Sequence, residues 1–210
     1  VQLSFVCFVC FGFAQKSAIY SHEKVRYNSA LSLYNTQQFQ SAQLIFQSVK
    51  SSTSDSFLKS NASYYIANCA VRLNQSNAEF LVESFVRDYP SSTKRNSAYF
   101  DIANYYFDNA KYAYARKWYK KVDISSLGKS NMDSFHFNYG YSLYNLKKYE
   151  KAKLNLQKVE LTQSYGVQAK YYIGFMAYET DDYSQASVYF DQLENNEVYK
   201  DNLSYYKADL

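Results

Sequence analysis

One proline and five glycines in 210 residues leave little material for turns, and the chain has only two histidines and three cysteines. So few turn residues argue against a β-sandwich or barrel and for helices joined by short loops. His22 and His136 stand apart, with no cysteine or acidic motif at metal-ligand spacing near either. No glycine-rich phosphate loop and no Gly-x-Ser-x-Gly occurs, so neither nucleotide chemistry nor a serine nucleophile is indicated. Cofactors are expected to be none, metal none and catalytic residues none. The formal charge of +4 comes from 23 basic against 19 acidic residues, read as evenly spread with no basic run. So mild an excess argues weakly against nucleic acid as the main partner, for which a clustered basic footprint is expected, and no small-molecule substrate is indicated.

Charge is also missing from the first fourteen residues, VQLSFVCFVCFGFA. The run is too short to span a bilayer, and Gly12 and Ala14 place small residues at −3 and −1 before Gln15. This pattern predicts a signal peptide over 1–14 that lacks its basic start, and hence export, with a mature chain beginning at Gln15. A buried N-terminal strand or helix is the alternative. Cys7 and Cys10 fall inside this run, and neither follows the small residue of a lipid-anchor site. Cys69 alone would remain, so no internal disulfide can form.

Aromatics, by contrast, are plentiful: 25 Tyr and 15 Phe. They sit in a phrase written four times: QFQSAQLIFQSV from Gln38, KYAYARKWYKKV from Lys111, KYEKAKLNLQKV from Lys148 and DYSQASVYFDQL from Asp182. Each aligns on an alanine, namely Ala42, Ala115, Ala152 or Ala186. Three residues before it stands an aromatic (Phe39, Tyr112, Tyr149, Tyr183); four after it stands a large residue (Phe46, Tyr119, Leu156, Phe190). Twelve residues before each alanine is a small residue: Ala30, Ala103, Gly140 or Gly174. Apolar Leu33, Tyr106, Leu143 and Ala177 follow three later. These intervals keep a helical period on both sides of short polar links such as Asn35-Thr36-Gln37 and Thr180-Asp181-Asp182. Each unit therefore reads as helix, tight turn, helix. Small residues let the helices approach closely where they cross, and stacked neighbours bury what one hairpin cannot.

This layout resembles the tetratricopeptide repeat (TPR) family. The resemblance implies an all-α, right-handed superhelical solenoid of antiparallel helix-turn-helix repeats. Its units fall near 23–56, 59–92 (degenerate, held by Ala78 and Tyr89-Pro90), 96–129, 133–166 and 167–200. Residues 201–210 begin a sixth, with Ala208 at its small-residue position, so the repeat is expected to continue. In that family the first helices line the concave surface, with contacts at the fifth, ninth and twelfth unit positions. Carried over, these are Tyr27, Phe100, Phe137 and Tyr171; Leu31, Asn104, Tyr141 and Phe175; and Tyr34, Phe107, Tyr144 and Tyr178. Asn145, with Asn35, Asp108 and Glu179, forms a polar edge at the thirteenth. The set describes an aromatic groove for an extended or helical peptide. Tyr27 and Leu31 stand where the carboxylate-clamp members need Lys and Asn, which disfavours an acidic C-terminal tail. The resemblance implies a non-catalytic scaffold whose partners are other proteins, envelope or secretion components, in the periplasm or cell envelope of a Gram-negative bacterium. Membrane association is expected only through partners or further segments. An exported sensor region of a membrane-spanning signalling protein is the alternative, and an enzyme's accessory region a third reading.

Overall fold

The structure is a computed structural model that describes residues 22–210; the expected signal peptide, Gln15, Cys7 and Cys10 lie outside these residues. Within them every element is a helix. Helix α1 covers 22–35, followed by α2 (Phe39–Ser52), α3 (Ser56–Arg72), α4 (Ala78–Asp88) and α5 (Arg95–Asp108). Then come α6 (Tyr112–Tyr119), α7 (Lys129–Asn145), α8 (Tyr149–Leu156), α9 (Gly166–Glu179), α10 (Tyr183–Asp191) and α11 (Lys200–Asp209), with a 3-10 turn at Ile124–Ser126. The chain divides into two compact units, the second starting at Tyr99 inside α5.

In the first unit, Ala30 of α1 meets Ala42, Phe46 and Val49 of α2, and Leu58, Ala62, Ile66 and Cys69 of α3 close the same core. Phe46 and the three alanines are fully buried. Burial of a side chain the size of phenylalanine contributes about 1.5–3 kcal/mol. One buried polar group, Gln43, is satisfied across the core: its Nε2 donates to the Ile66 carbonyl at 3.2 Å and to Gln75 Oε1 at 3.0 Å, and Gln75 Nε2 donates back to Gln43 Oε1 at 2.8 Å. Asp55 caps α3, accepting from the backbone N–H of Phe57 at 2.8 Å and of Leu58 at 3.1 Å. This hairpin pair includes the degenerate second unit, whose two helices form despite its weak sequence signal.

The second unit stacks α6 to α11 in chain order. Leu143, Ala152, Leu156, Val159, Ala169, Ile173 and Met176 form one core, and Ala177, Ala186, Phe190, Leu193 and Leu203 the next. All four aligned alanines are fully buried, and so is the residue four after each, down to Tyr119 at 1% exposed. Trp118 is fully buried too, with Lys121 Nζ 4.6 Å from its ring centroid.

How the hairpins turn without glycine is the feature the composition concealed. Gln37, Asn74, Ala110, Lys147 and Asp181, one in each turn between the two helices of a hairpin, take φ of 62°, 53°, 56°, 52° and 61°, and no described glycine has positive φ. At each, the N–H of the left-handed residue donates three residues back and the next N–H five back, as in Lys147 to Tyr144 (2.8 Å) and Lys148 to Leu143 (2.9 Å). That pair satisfies carbonyls a helix end leaves orphaned. A β-carbon in this conformation costs roughly 1–2 kcal/mol, partly offset by the backbone entropy a glycine gives up on folding. Ala110→Gly is therefore expected to raise stability by about 0.5–1 kcal/mol. Thermal melts check this; a lowered Tm would mean the turn differs from the one described.

Candidate functional site

The first helices of the second unit carry the aromatic face. Tyr141, Tyr144, Phe137, Tyr171, Phe175 and Tyr178 are each half-buried, so each ring is held on one side and reachable on the other. What holds them is a mesh of rings repeated at an offset of 34 residues. Phe137 stacks on Tyr165 at 4.8 Å, and Tyr171 stacks on Tyr199 at 4.3 Å. Tyr141 meets Tyr172 edge-on at 4.8 Å, as Phe175 meets Tyr206 at 5.2 Å. Tyr144 lies 5.0 Å from Tyr172, and Tyr178 5.1 Å from Tyr206. Tyr144 and Tyr149 are 6.0 Å apart, as are Tyr178 and Tyr183. Phe107 joins through Tyr141 at 5.8 Å, and Tyr144 reaches Phe175 at 6.3 Å. Ring pairs at such separations each add about 0.5–1.5 kcal/mol beyond their burial. The face is thus stiffened by residues the family positions do not include, namely Tyr165, Tyr172, Tyr199 and Tyr206. Their signal was in the sequence: Tyr165 and Tyr199, and Tyr172 and Tyr206, recur at the same 34-residue offset.

Two expected groove residues stand elsewhere. Phe100 is only 6% exposed and packs toward Tyr119 at 6.4 Å, so it belongs to the interior. Asn104 turns its Oδ1 to the Tyr119 hydroxyl at 2.6 Å and to Asn138 Nδ2 at 3.3 Å, tying α5, α6 and α7 together. The reason is shared: Tyr119 is a large residue with a polar tip, and its ring and hydroxyl occupy the space beside α5. Asn145 is exposed at the end of α7 and donates to its own helix, to the Tyr141 carbonyl at 3.0 Å.

The first unit holds its own group. Tyr27 packs on Phe46 at 5.5 Å and Tyr65 at 6.2 Å; Tyr34 lies 5.0 Å from Tyr65 and 5.5 Å from Phe39, with the Arg72 guanidinium 5.2 Å from its ring. Leu31 packs partly buried against the same core.

Burial, followed by the neighbouring Tyr149, pushes the Tyr144 hydroxyl from 10.0 up to about 12. Burial and then the Tyr141 hydroxyl raise Tyr172 as well. A raised pKa means the fold favours the protonated phenol. Its stabilisation is complete below pH 10.0 and is lost as pH rises through about 12. Tm is expected to fall over that window, and Tyr144→Phe to make the fall shallower. An unchanged slope would show that Tyr144 titrates freely.

His136 Nδ1 sits 3.1 Å from Asn155 Oδ1, and its ring packs 5.4 Å from that of Phe135. Cys69 is fully buried, and burial pushes its thiol up to about 12, which removes the thiolate that reactivity needs. Asp182 caps α10, accepting from the Gln185 N–H at 3.2 Å, and Asp181 accepts from the Tyr183 hydroxyl at 2.9 Å. Among the described residues no group of His, Cys, Asp and Glu could hold a metal ion, and no helix is long and apolar enough to cross a membrane.

Comparison with known proteins places the fold. No protein-family model matches the sequence, and no curated protein matches it. Solved structures do. MamA of AMB-1 aligns with a TM-score of 0.64 at 14% identity, over 84% of this chain and 92% of that one. A kinesin light chain-type protein of Podosopora anserina with nearly identical TPR-like repeats aligns at 0.58 and 13% identity, over 84% of this chain and 98% of that one. At these identities the likeness is one of fold. The chain is an all-α solenoid of TPR-type hairpins.

Proposed function

We propose that this chain is a non-catalytic protein-interaction scaffold that takes a peptide or helical segment of a partner on the first-helix aromatic face of its second unit. The observation that carries this reading is the ring mesh: rigid, half-buried aromatics repeated along consecutive first helices. Such rings offer large contact area at little cost in side-chain entropy. An amphipathic helix or extended strand with apolar residues at regular spacing fits a surface of this periodicity. Phe107, Phe137, Tyr141, Tyr144, Tyr171, Phe175 and Tyr178 form the surface, with Asn145 at its polar edge. Phe100 and Asn104 are not part of it, being turned toward Tyr119. The exported, envelope setting is part of the same proposal and is supported by the chargeless apolar run at 1–14 and the small residues before Gln15.

Photo-crosslinking in the native host tests the reading. A benzophenone amino acid replaces exposed Asn145 at the edge of the face, or Leu154, 63% exposed on second helix α8. A defined partner segment is expected to attach at position 145 and not at 154. Attachment at 154 alone would move the binding surface to the second helices and overturn the proposal.

A further inference from the structure

The second unit is electrically divided, contrary to the even spread read from the whole sequence. Residues 109–158 hold 11 basic against 3 acidic side chains; residues 159–210 hold 9 acidic against 3 basic. The division reaches the surface at one repeated feature, the turn between the two helices of a hairpin. In the α7–α8 turn stand Lys147 and Lys148, both exposed; 34 residues on, at the same place in the α9–α10 turn, stand Asp181 and Asp182, both exposed. The two turns share one backbone conformation, with φ of 52° at Lys147 and 61° at Asp181. They also share the same pair of closing hydrogen bonds.

Around the basic turn lies a cleft of about 330 Å³. Arg116 of α6, Lys120 just after it, and Lys147, Lys148 and Lys151 from the α8 side surround it, and Glu150 is the one acid among its lining residues. Its walls include Tyr139, Leu143 and Tyr149. Beside the acidic turn, exposed Glu179 ends α9, and Asp209 at the end of α11 accepts a hydrogen bond from the Tyr178 hydroxyl. Five cations around one cleft repel one another and are relieved by anions of matching spacing. The same chain presents those anions one repeat away, on the equivalent turn.

We infer that the cationic cleft of one copy receives the acidic α9–α10 turn of a second copy. Because each copy carries both patches on equivalent, adjacent turns, a two-fold axis lets both contacts form at once, Lys147 and Lys148 of each facing Asp181 and Asp182 of the other. A contact of this kind closes on itself as a dimer. The contact lies at the turns bordering the aromatic face, not on its first-helix rings, and its test reads self-association and not capture of a partner, so the two proposals fail separately. Exposed ion pairs are individually weak and are screened by salt; the dimer forms at low ionic strength and dissociates as the Debye length shrinks to about 3–10 Å.

Charge reversal with exchange tests it, read by sedimentation velocity on the full chain. Wild type is expected to sediment as a dimer in about 20 mM salt and as a monomer in about 1 M, where screening is short-ranged. Lys147→Glu/Lys148→Glu, with acidic turns only, and Asp181→Lys/Asp182→Lys, with basic turns only, are each expected to be monomers in low salt, their dimer dissociation constants raised at least about tenfold. Mixed in equal amounts, the two variants regain both contacts and sediment as a 1:1 dimer. Asp182→Lys gives up the side-chain cap on α10, but Lys148 stands at the same place before α8 without such a cap in the same turn conformation, so the fold accommodates lysine there; far-UV circular dichroism verifies that each variant is folded. A monomeric wild type in low salt, a reversed variant that still dimerises alone, or a mixture that stays monomeric would each overturn the inference.

Discussion

Gly140→Leu is expected to destabilise the protein by about 1–3 kcal/mol or more, among the largest effects any surface-neutral change in this chain should have. A β-carbon at Gly140 would already stand 2.9 Å from Leu156 Cγ and 3.2 Å from Asn155 Cβ. Leu156 is fully buried, so its side chain has no free space to yield. Gly174 is tighter still: its added β-carbon would meet Phe190 Cε1 at 2.8 Å and Tyr189 Cβ at 2.9 Å. A leucine adds three more carbons along the same line and forces α7 from α8, or α9 from α10. Each kcal/mol lost lowers Tm by roughly 2–4 °C in a protein of this size. Ala115→Leu, at a fully buried crossing on α6, belongs to the same class. Gly128 supplies the control, because nothing lies within 4 Å of where its β-carbon would be; Gly128→Ala should leave the melt in place. Equal melting temperatures for Gly140→Leu and Gly128→Ala would break the repeat register on which the rest depends.

That register was legible because it rests on steric necessity. A small residue at a helix crossing and a large one beside it leave a signature with fixed intervals, and Ala42, Ala115, Ala152 and Ala186 are all fully buried. The turns were legible only as short polar links. Their left-handed residues are Gln, Asn, Ala, Lys and Asp rather than glycine, so nothing in the residue types at 110 or 147 announced them. At the candidate face the family positions located Phe137, Tyr141, Tyr144, Tyr171, Phe175 and Tyr178 on the first helices, but not which rings lie open. Phe100 went inside because Tyr119, at the large position of α6, fills the neighbouring space and draws Asn104 to its hydroxyl. Position along a helix gives direction; which way a ring settles depends on the size of the side chain opposite, and here that is set by the adjacent helix. Tyr165 and Tyr199 lie just ahead of α9 and α11, a place where the helical period gives no guidance, yet they stack on Phe137 at 4.8 Å and Tyr171 at 4.3 Å, closer than the stacked first-helix pairs Phe137–Tyr141 and Tyr171–Phe175 at 6.2 Å. Charge segregation was missed for a simpler reason: a net value of +4 for the whole chain averages a basic stretch against an acidic one.

Binding energy on an aromatic surface concentrates in a few central anchors, and truncating one typically costs about 2 kcal/mol or more. Phe137 and Tyr141 are central here, since Phe137 stacks on Tyr165 and Tyr141 touches Phe107, Tyr112, Tyr144 and Tyr172. The measurement that bears most directly on the aromatic face as the binding surface is the affinity of a synthetic peptide of the partner segment attached by crosslinking. It is determined by titration calorimetry against wild type, Phe137→Ala, Tyr141→Ala and two second-helix variants, Lys117→Ala and Lys153→Ala, each first shown to be helical by circular dichroism. The account predicts a dissociation constant raised about tenfold or more for Phe137→Ala and Tyr141→Ala, with both lysine variants binding as wild type does. Affinity lost in the lysine variants and kept in Phe137→Ala and Tyr141→Ala would contradict it, and would make the ring mesh part of the core rather than the binding site.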